Sequence, residues 1–508
     1  HYQEKIPSGS IGPEDDLERG GTMDHERAAQ GIGGKALDGR LSRRRLLRLL
    51  AAGAAVPAMS LLAACGEASV SDDGGGGGSQ PAPTATTADS GASSSGSPAA
   101  SPSTQGGTTP SGPIRIGVIL PLSGVAASVG ADEKAAVELA VKIVNEETPD
   151  LPLPLAATAG LPNLGGATVE LVFADSQGKA EVGQSEAERL INQENVVALF
   201  GCYQSAVTKT ASAVAERAGI PFMNGESSSP ALTESGYQWF FRTSPHDGDF
   251  SKAIMAFIRA MADEKGADVS TVSLLYEDTD FGVNSAKALT DEAEAHGLQI
   301  VGEVKYKANT TALTSEVQAL RSQGADVLCP ASYTNDAILT IETARQQGYL
   351  PKMIVAQDAG YSDPAFIEGV GAAFAEGIAT RSAFSIDITE IKPAAAKVNE
   401  MYREIAGKDM HDVPARGFTA MMVLLDAINR AGSTDPEAIR EALEATDLGP
   451  DDTIMPWQGV RFDETHQNIL GGGIIVQIQN GEYRTVYPFD VATVEPSYPL
   501  QPWDQRGA

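Results

Sequence analysis

The chain has 508 residues, with 37 basic and 67 acidic side chains and a formal net charge of −30. Residues 1–64 hold 9 of the basic and 8 of the acidic ones, which leaves 28 basic against 59 acidic residues beyond them. A surface this acidic repels phosphate backbones and anionic headgroups, and no basic stripe with interleaved aromatics offsets it, so nucleic-acid binding is excluded.

The first ordered signal in the chain is SRRRLLRLLAAGAAVPAM, from Ser42. Arg43, Arg44, Arg45 and Arg48 precede an apolar run, Leu46 to Leu62, that is too short and too rich in alanine to span a bilayer. The run ends Leu62-Ala63-Ala64-Cys65. The arginine pair followed by leucines resembles the twin-arginine export pattern, and the whole stretch resembles a bacterial lipoprotein signal. That resemblance implies that residues 1–64 are an extension and signal, and that Cys65 becomes a lipidated first residue. Residues 65–112 are then a tether. They are almost entirely Gly, Ser, Pro, Thr, Ala and Gln after the first few positions, a composition that cannot offset the entropy of ordering. Its root-mean-square reach is roughly 35–40 Å. An extracytoplasmic protein, lipid-anchored to the bacterial cell membrane, is expected.

From Pro113 short apolar runs alternate with amphipathic stretches. IRIGVIL predicts a strand, and 131–146 predicts a helix with Ala136, Leu139, Ala140 and Ile143 on one face. VELVFAD, a helix over 179–193, VVALFG, a helix from about Ala206, and IPFMNG continue the series. After WFFRTSPHDGDF a second series follows: VSLLYED, QIVGEVKY, ADVLCPAS, KMIVAQD and GIATRSAF. Three helical stretches come next, about 391–406, 414–430 and 435–445. The chain closes with GVRFDE and IIVQIQNGEYRTVYP, where Asn480-Gly481 signals a tight hairpin turn. Two such series predict an α/β protein with two lobes, each with a parallel-type sheet, and a ligand cleft where the strands' carboxyl ends face each other. Cys202 and Cys329 each sit at the end of a predicted buried strand and read as core thiols, and three cysteines make no disulfide framework.

Two strand ends carry hydroxyls suited to an anion. Ser205 follows VVALFGCYQ and is placed to cap the next helix; Ser227, Ser228 and Ser229 precede Pro230, a favoured first helical residue. Plain capping accounts for each alone. Two neighbouring ends together point to a carboxylate.

IRIGVILPLSG, ALFGCYQSAVT, GIPFMNGESSSPALTESGYQWFFRTSPHD, YEDTDFG and ASYTNDAILTIETARQQGY resemble the periplasmic leucine/isoleucine/valine-binding family, the type I solute-binding proteins of ABC importers. The resemblance runs over nearly all of 113–490. It implies two Rossmann-like lobes joined by three hinge crossings, near Thr243–His246, Arg381–Phe384 and Thr453–Trp457. Lobe one is then 113–243 plus 384–453, and lobe two 247–380 plus 457–497. It implies that a ligand carboxylate meets Ser205 and Ser228, that its ammonium meets Asp358 or Gln357, and that Tyr333 and Phe281 supply ring contacts. Glu226 stands where amino-acid binders use a small residue, and Arg416 falls near an aromatic pocket position. Facing the cleft, they imply a ligand more polar than leucine; the alternative is that they are solvated or paired with each other.

The implied function is capture of an amino acid or related small polar carboxylate between the lobes by a monomer, and its delivery to an ABC permease and ATPase, with no cofactor and no metal. A ligand-sensing receptor module is an alternative. An extracellular hydrolase is a weaker one, because no Gly-x-Ser-x-Gly elbow, His-Glu-x-x-His or Walker loop is present. His246, His296, His411 and His466 have no partner at metal-ligand spacing, and His246 reads as a hinge or cleft-rim residue.

Overall fold

The structure, a computed structural model, describes residues 112–357 and 359–506. Cys65, expected to be lipidated, the expected export signal, nearly all of the expected tether and Asp358 lie outside these residues. Among them, the first series forms β1 (Ile114–Leu120), β2 (Val169–Asp175), β3 (Ala198–Gly201), β4 (Phe222–Asn224) and β5 (Phe240–Arg242). These pair in parallel in the order β2-β1-β3-β4-β5, with Ile116 opposite Leu171 on one side and Ala198 on the other. Helices α1 (Ala127–Asn145), α2 (Ala180–Glu194) and α3 (Ser205–Ala218) connect them. The three-residue β5 lies in WFFRTSPHDGDF, the stretch that separates the two series above. Its Phe-Phe-Arg is too short to show a period, and it becomes a strand because Phe222, Met223 and Asn224 pair with it.

The second series begins with α4 (Asp247–Glu264) and continues through β6 (Thr271–Glu277), α5 (Asp280–Ala295), β7 (Gln299–Tyr306), α6 (Thr314–Gln323), β8 (Val327–Ala331), α7 (Thr334–Gln347), β9 (Met353–Ala356), α8 (Pro364–Val370), α9 (Ala372–Ala375) and β10 (Ala379–Ser382). Helices α10 (Pro393–Ala406), α11 (Asp412–Ala431) and α12 (Pro436–Glu444) follow, then a small ladder of β11 (Asp447–Leu448) and β12 (Val460–Arg461), and finally β13 (Ile474–Gln479) and β14 (Glu482–Tyr487). The second sheet runs β14-β13-β10-β9-β8-β6-β7, parallel except for the antiparallel hairpin at its edge. That hairpin turns at Asn480 and Gly481, both with positive φ (56° and 79°), as a tight two-residue loop requires.

Each sheet has its own core. Ile116, Phe200, Leu424 and Trp457 share one buried cluster; Val272, Leu274, Met353 and Ile475 share another. The α10–α12 segment returns to the first core, with α11 lying on α1. The chain leaves the first sheet after Arg242 and returns to its core at Ala383 and Phe384. The last passage differs from expectation. Ile454, Met455, Trp457, Val460 and Phe462 all pack in the first core, and Gln467 and Asn468 bond to the 242–244 segment, so the chain passes to the second sheet between Asn468 and Ile474. Large apolar side chains set that boundary. No helix among the described residues is long and apolar enough to cross a membrane.

Candidate functional site

The strand ends of the first lobe are tied together by side chains. Gly201 ends β3 at φ 127°, and a Cβ there would sit 2.2 Å from the Ile119 carbonyl, so only glycine permits the turn. The Asn224 amide donates to the Gly201 and Cys202 carbonyls at 2.7 and 3.1 Å. The hydroxyls of Thr208 and Ser227 bond each other at 2.6 Å, and Ser227 also donates to the Cys202 carbonyl at 2.7 Å. Ser227 is thereby spent on structure. Ser205 is not the cap of α3: Gln204 holds that position and Ser205 opens the helix, its hydroxyl accepting from the Ser229 N–H at 3.4 Å. Ser229 precedes a three-residue 3-10 turn, Pro230–Leu232, with Pro230 first, and its own hydroxyl has no partner among the described residues.

The sequence reading missed Arg242. Fully buried at the end of β5, it donates to the carbonyls of Ser227 (3.0 Å) and Ser229 (2.7 Å), to Thr233 Oγ1 (2.8 Å) and to Gln467 Oε1 (2.7 Å). Burial pulls its pKa down to about 10, still cationic at neutral pH. It shapes the serine loop; a lone arginine in an apolar strand is the signal that marks it.

Glu226 and Arg416 are buried and paired with each other. Arg416 Nη2 lies 3.2 Å from Glu226 Oε2, Nη1 donates to the Glu226 carbonyl at 3.2 Å, and Nη2 also bonds Asp412 Oδ2. Asp412 Oδ1 in turn accepts from Ser382 Oγ (3.0 Å), Ala383 N (2.6 Å) and Phe384 N (3.2 Å). The position facing the cleft on α11 is Val413, one turn earlier than Arg416, which clusters with Ala126, Val129 and Tyr203 against Tyr333.

Tyr333 comes from the second lobe, at the end of β8, and reaches the first. Its ring lies 5.6 Å from that of Tyr203 and 5.2 Å from that of Phe281, and its phenol sits beside the Ser205 backbone N–H. Burial, with the charge of Glu277, pushes the phenol well above its ordinary pKa, so it stays neutral. Phe281 is buried against Ala331 and Ala359. Gln357 is fully buried, its Nε2 donating to the Asp247 carbonyl (3.3 Å) and carboxylate (3.2 Å) and to Ser251 Oγ (3.3 Å). Gln357 Oε1 and Asp247 Oδ2 are buried acceptors without a hydrogen-bond partner among the described residues. Ser228 is buried, and its carbonyl accepts from Asp247 N at 2.8 Å, which links the serine loop to the start of α4. The lobes are closed on each other: Lys209 of α3 pairs with Asp280 of α5 at 2.9 Å. That pair is exposed, so Lys209→Ala should weaken ligand binding by less than about 1 kcal/mol, and less still at high salt. Titrations at two salt concentrations check this.

His246 caps α4, its Nδ1 accepting from Gly248 N (3.0 Å) and Asp249 N (3.3 Å). Cys202 and Cys329 are buried free thiols, their pKa values raised by burial. No cluster of three or more His, Cys, Asp or Glu side chains suited to a metal occurs among the described residues.

The model of the periplasmic binding protein family matches residues 113–482. The Leu/Ile/Val-binding protein homolog 7 of Brucella abortus (strain 2308) is 30% identical over 402 residues, covering 77% of this chain and 95% of that protein. Homolog 8 of the same strain is 30% identical over 387 residues, 75% of this chain and 91% of that protein. Among solved structures, the leucine-binding protein LivK of Thermotoga maritima superposes with a TM-score of 0.63 at 24% identity, over 74% of this chain and 100% of that one. LivJ of Streptococcus pneumoniae, in complex with isoleucine, gives 0.62 at 22% identity, over 74% and 99%. Two lobes with the strand ends of one facing Tyr333 and Phe281 of the other, a family model over most of the folded chain and relatives of nearly full length agree: the chain belongs to the periplasmic binding protein family, in its type I leucine/isoleucine/valine-binding class, whose members bind substrates and are not enzymes.

Proposed function

We propose that the protein captures an amino acid, or a related small polar carboxylate, between its lobes and delivers it to an ABC permease and ATPase. The reading places it outside the cytoplasmic membrane, exported by the twin-arginine route and anchored through lipid on Cys65. The observation that carries it is the Ser205 N–H at the start of α3 standing beside the Tyr333 phenol of the other lobe, with the serine loop tied to Ser205 through the Ser229 N–H at 3.4 Å. The α3 N-terminus and the hydroxyls of Ser205, Ser228 and Ser229 suit a carboxylate. The unpartnered Gln357 Oε1 and Asp247 Oδ2, with Asp358 next in the chain, suit an ammonium, since a buried acceptor is stabilised by gaining a donor. Tyr203, Phe281, Tyr333 and Val413 suit the remaining, less polar part. Glu226 and Arg416 act behind the loop. The ligand's extra contacts in the closed form drive closure.

A thermal-shift screen of amino acids and small carboxylates identifies the solute class by the midpoint it raises. With that solute, Ser205→Ala and Ser228→Ala should each weaken binding by about 1–3 kcal/mol, roughly five- to 150-fold in Kd. Calorimetry showing unchanged affinity in both variants would refute the assignment.

A further inference from the structure

All three crossings meet at one buried junction around Asp247. Asp247 is the first residue of α4, directly after the first crossing, and is fully buried. Its N–H donates to the Ser228 carbonyl at 2.8 Å, and its carbonyl and carboxylate receive Gln357 Nε2 from the end of β9. Arg381 reaches Asp247 from β10, where it stands opposite Ile475 of β13 and two residues before Ala383, at which the chain rejoins the first core. Its Nη2 is 3.7 Å from Asp247 Oδ1, and the two side chains are 2% and 0% exposed. The Arg381 guanidinium also lies over the Phe250 ring, 3.6 Å from its centre. Phe250 belongs to the first turn of α4 and to the first core. The third crossing touches the same ring: a Cβ on Gly473 would stand 2.8 Å from Phe250 Cδ1, so the backbone passes there in direct contact.

The groups on Asp247 differ in what they can hold. Gln357 Nε2 has two protons for three acceptors at 3.2–3.3 Å, so its hold on the carboxylate is shared with the Asp247 carbonyl and Ser251. Arg242 feels the Asp247 charge, which favours its cationic form, but its own hydrogen bonds go to the Ser227 and Ser229 carbonyls, Thr233 and Gln467. Arg381 is the cation within ion-pair distance, and its planar, delocalised group can serve an aromatic face and a carboxylate at once. A buried ion pair gives little net stability over apolar side chains packed in its place. Its use at this junction is then to fix where Asp247 sits, and with it the Ser228 carbonyl on one lobe and Gln357 on the other.

We propose that Arg381 is a positioning residue for ligand capture: acting through Asp247, it holds the serine loop of the first lobe and the end of β9 of the second in one fixed arrangement. The inference rests on the capture reading for the use of these two edges of the cleft. Arg381 acts before any ligand arrives, so a solute meets edges that are already ordered and spends less of its binding free energy on ordering them. Without the guanidinium, the buried Asp247 carboxylate shifts toward Arg242 or draws in water, and the serine loop follows through the Asp247 N–H.

Hydrogen exchange of the full chain, read by mass spectrometry without ligand, tests this. In Arg381→Met the peptides covering 225–230, 245–250 and 354–357 should exchange at least about tenfold faster, while those covering β1 and β6 change by less than about twofold. Arg381→Lys should recover part of the protection, because it restores the cation but not the planar fork. Arg381→Met combined with Asp247→Asn should be no faster at 225–230 than the faster of the two single variants, since both break the same link. Unchanged exchange at 225–230 in Arg381→Met overturns the proposal, and so does equal acceleration of all these peptides, the mark of a lowered global stability alone. If Arg381→Met does not fold, Arg381→Lys decides: exchange at least about threefold faster at 225–230 with β1 and β6 unmoved supports the role, and exchange at the wild-type rate overturns it. The rates are read without ligand, so a thermal-shift screen that finds no solute strikes the capture reading and leaves this result standing.

Discussion

Replacing Arg416 by alanine should destabilise the protein by about 3–5 kcal/mol, the range for removing one partner of a buried ion pair. The guanidinium holds Glu226 and Asp412, and the side chains of all three are at most 2% exposed. Truncation leaves two carboxylates in a low-dielectric interior with no cation between them, and each must lose its charge or draw in water. The same change loosens two pieces of the binding machinery. Arg416 holds the Glu226 carbonyl in the serine loop, and through Asp412 it orders Ser382, Ala383 and Phe384 at the second crossing. Arg416→Lys should recover only part of the loss, because an ammonium lacks the planar fork that serves both carboxylates. Urea denaturation monitored by circular dichroism reads the effect. A loss below about 1 kcal/mol in the alanine variant would show that the carboxylates do not depend on this cation.

That cluster also marks where reading the sequence stops. The strand-helix alternation is legible because fully buried parallel strands such as IRIGVIL and VSLLYE are short apolar runs with amphipathic helices between them. The hairpin is legible because Asn480-Gly481 has few other uses. Ser205 and Ser228 are legible as candidates because they lie next to strand ends, where local order fixes position. A pair 190 residues apart, Glu226 with Arg416, has no local signature: their pairing stands only as the alternative to facing the cleft, and the packing of α11 behind the serine loop decides it. Arg242 and Gln467, joined at 2.7 Å across 225 residues, have no local signature as a pair either. The choice of Val413 over Arg416 as the cleft-facing residue is a matter of one helical turn, which the start of α11 decides. The third crossing is misjudged for a related reason. The family resemblance puts that crossing near Thr453–Trp457, but Trp457 and Phe462 find their apolar neighbours in the first core.

Glu133→Gln should flatten the dependence of stability on pH between about 4.5 and 8. Glu133 is fully buried on α1, and neither carboxylate oxygen has a hydrogen-bond partner among the described residues. Its Cγ lies 3.0 Å from where a Cβ on Gly417 would stand, so the side chain is packed against α11 beside Arg416. Burial pushes its pKa up from 4.5 to about 8, with the charge of Arg416 opposing the rise. The folded state therefore holds this proton more tightly than the unfolded chain does. The stabilisation is complete below the unfolded pKa and is lost as pH rises through the folded one. At about 1.4 kcal/mol per unit, a shift of this size puts a ceiling of roughly 5 kcal/mol on the loss. Glutamine keeps the shape of the protonated acid and cannot ionise. At pH 5 the variant should match the wild type to within about 1 kcal/mol, and by pH 8.5 it should be the more stable by a few kcal/mol. Titrating groups that do not touch Glu133 contribute equally to both proteins, so the difference between their urea midpoints reports this carboxyl and its immediate neighbours. Parallel midpoints across that window would mean that Glu133 is already ionised at neutral pH, with Arg416 as its counter-ion.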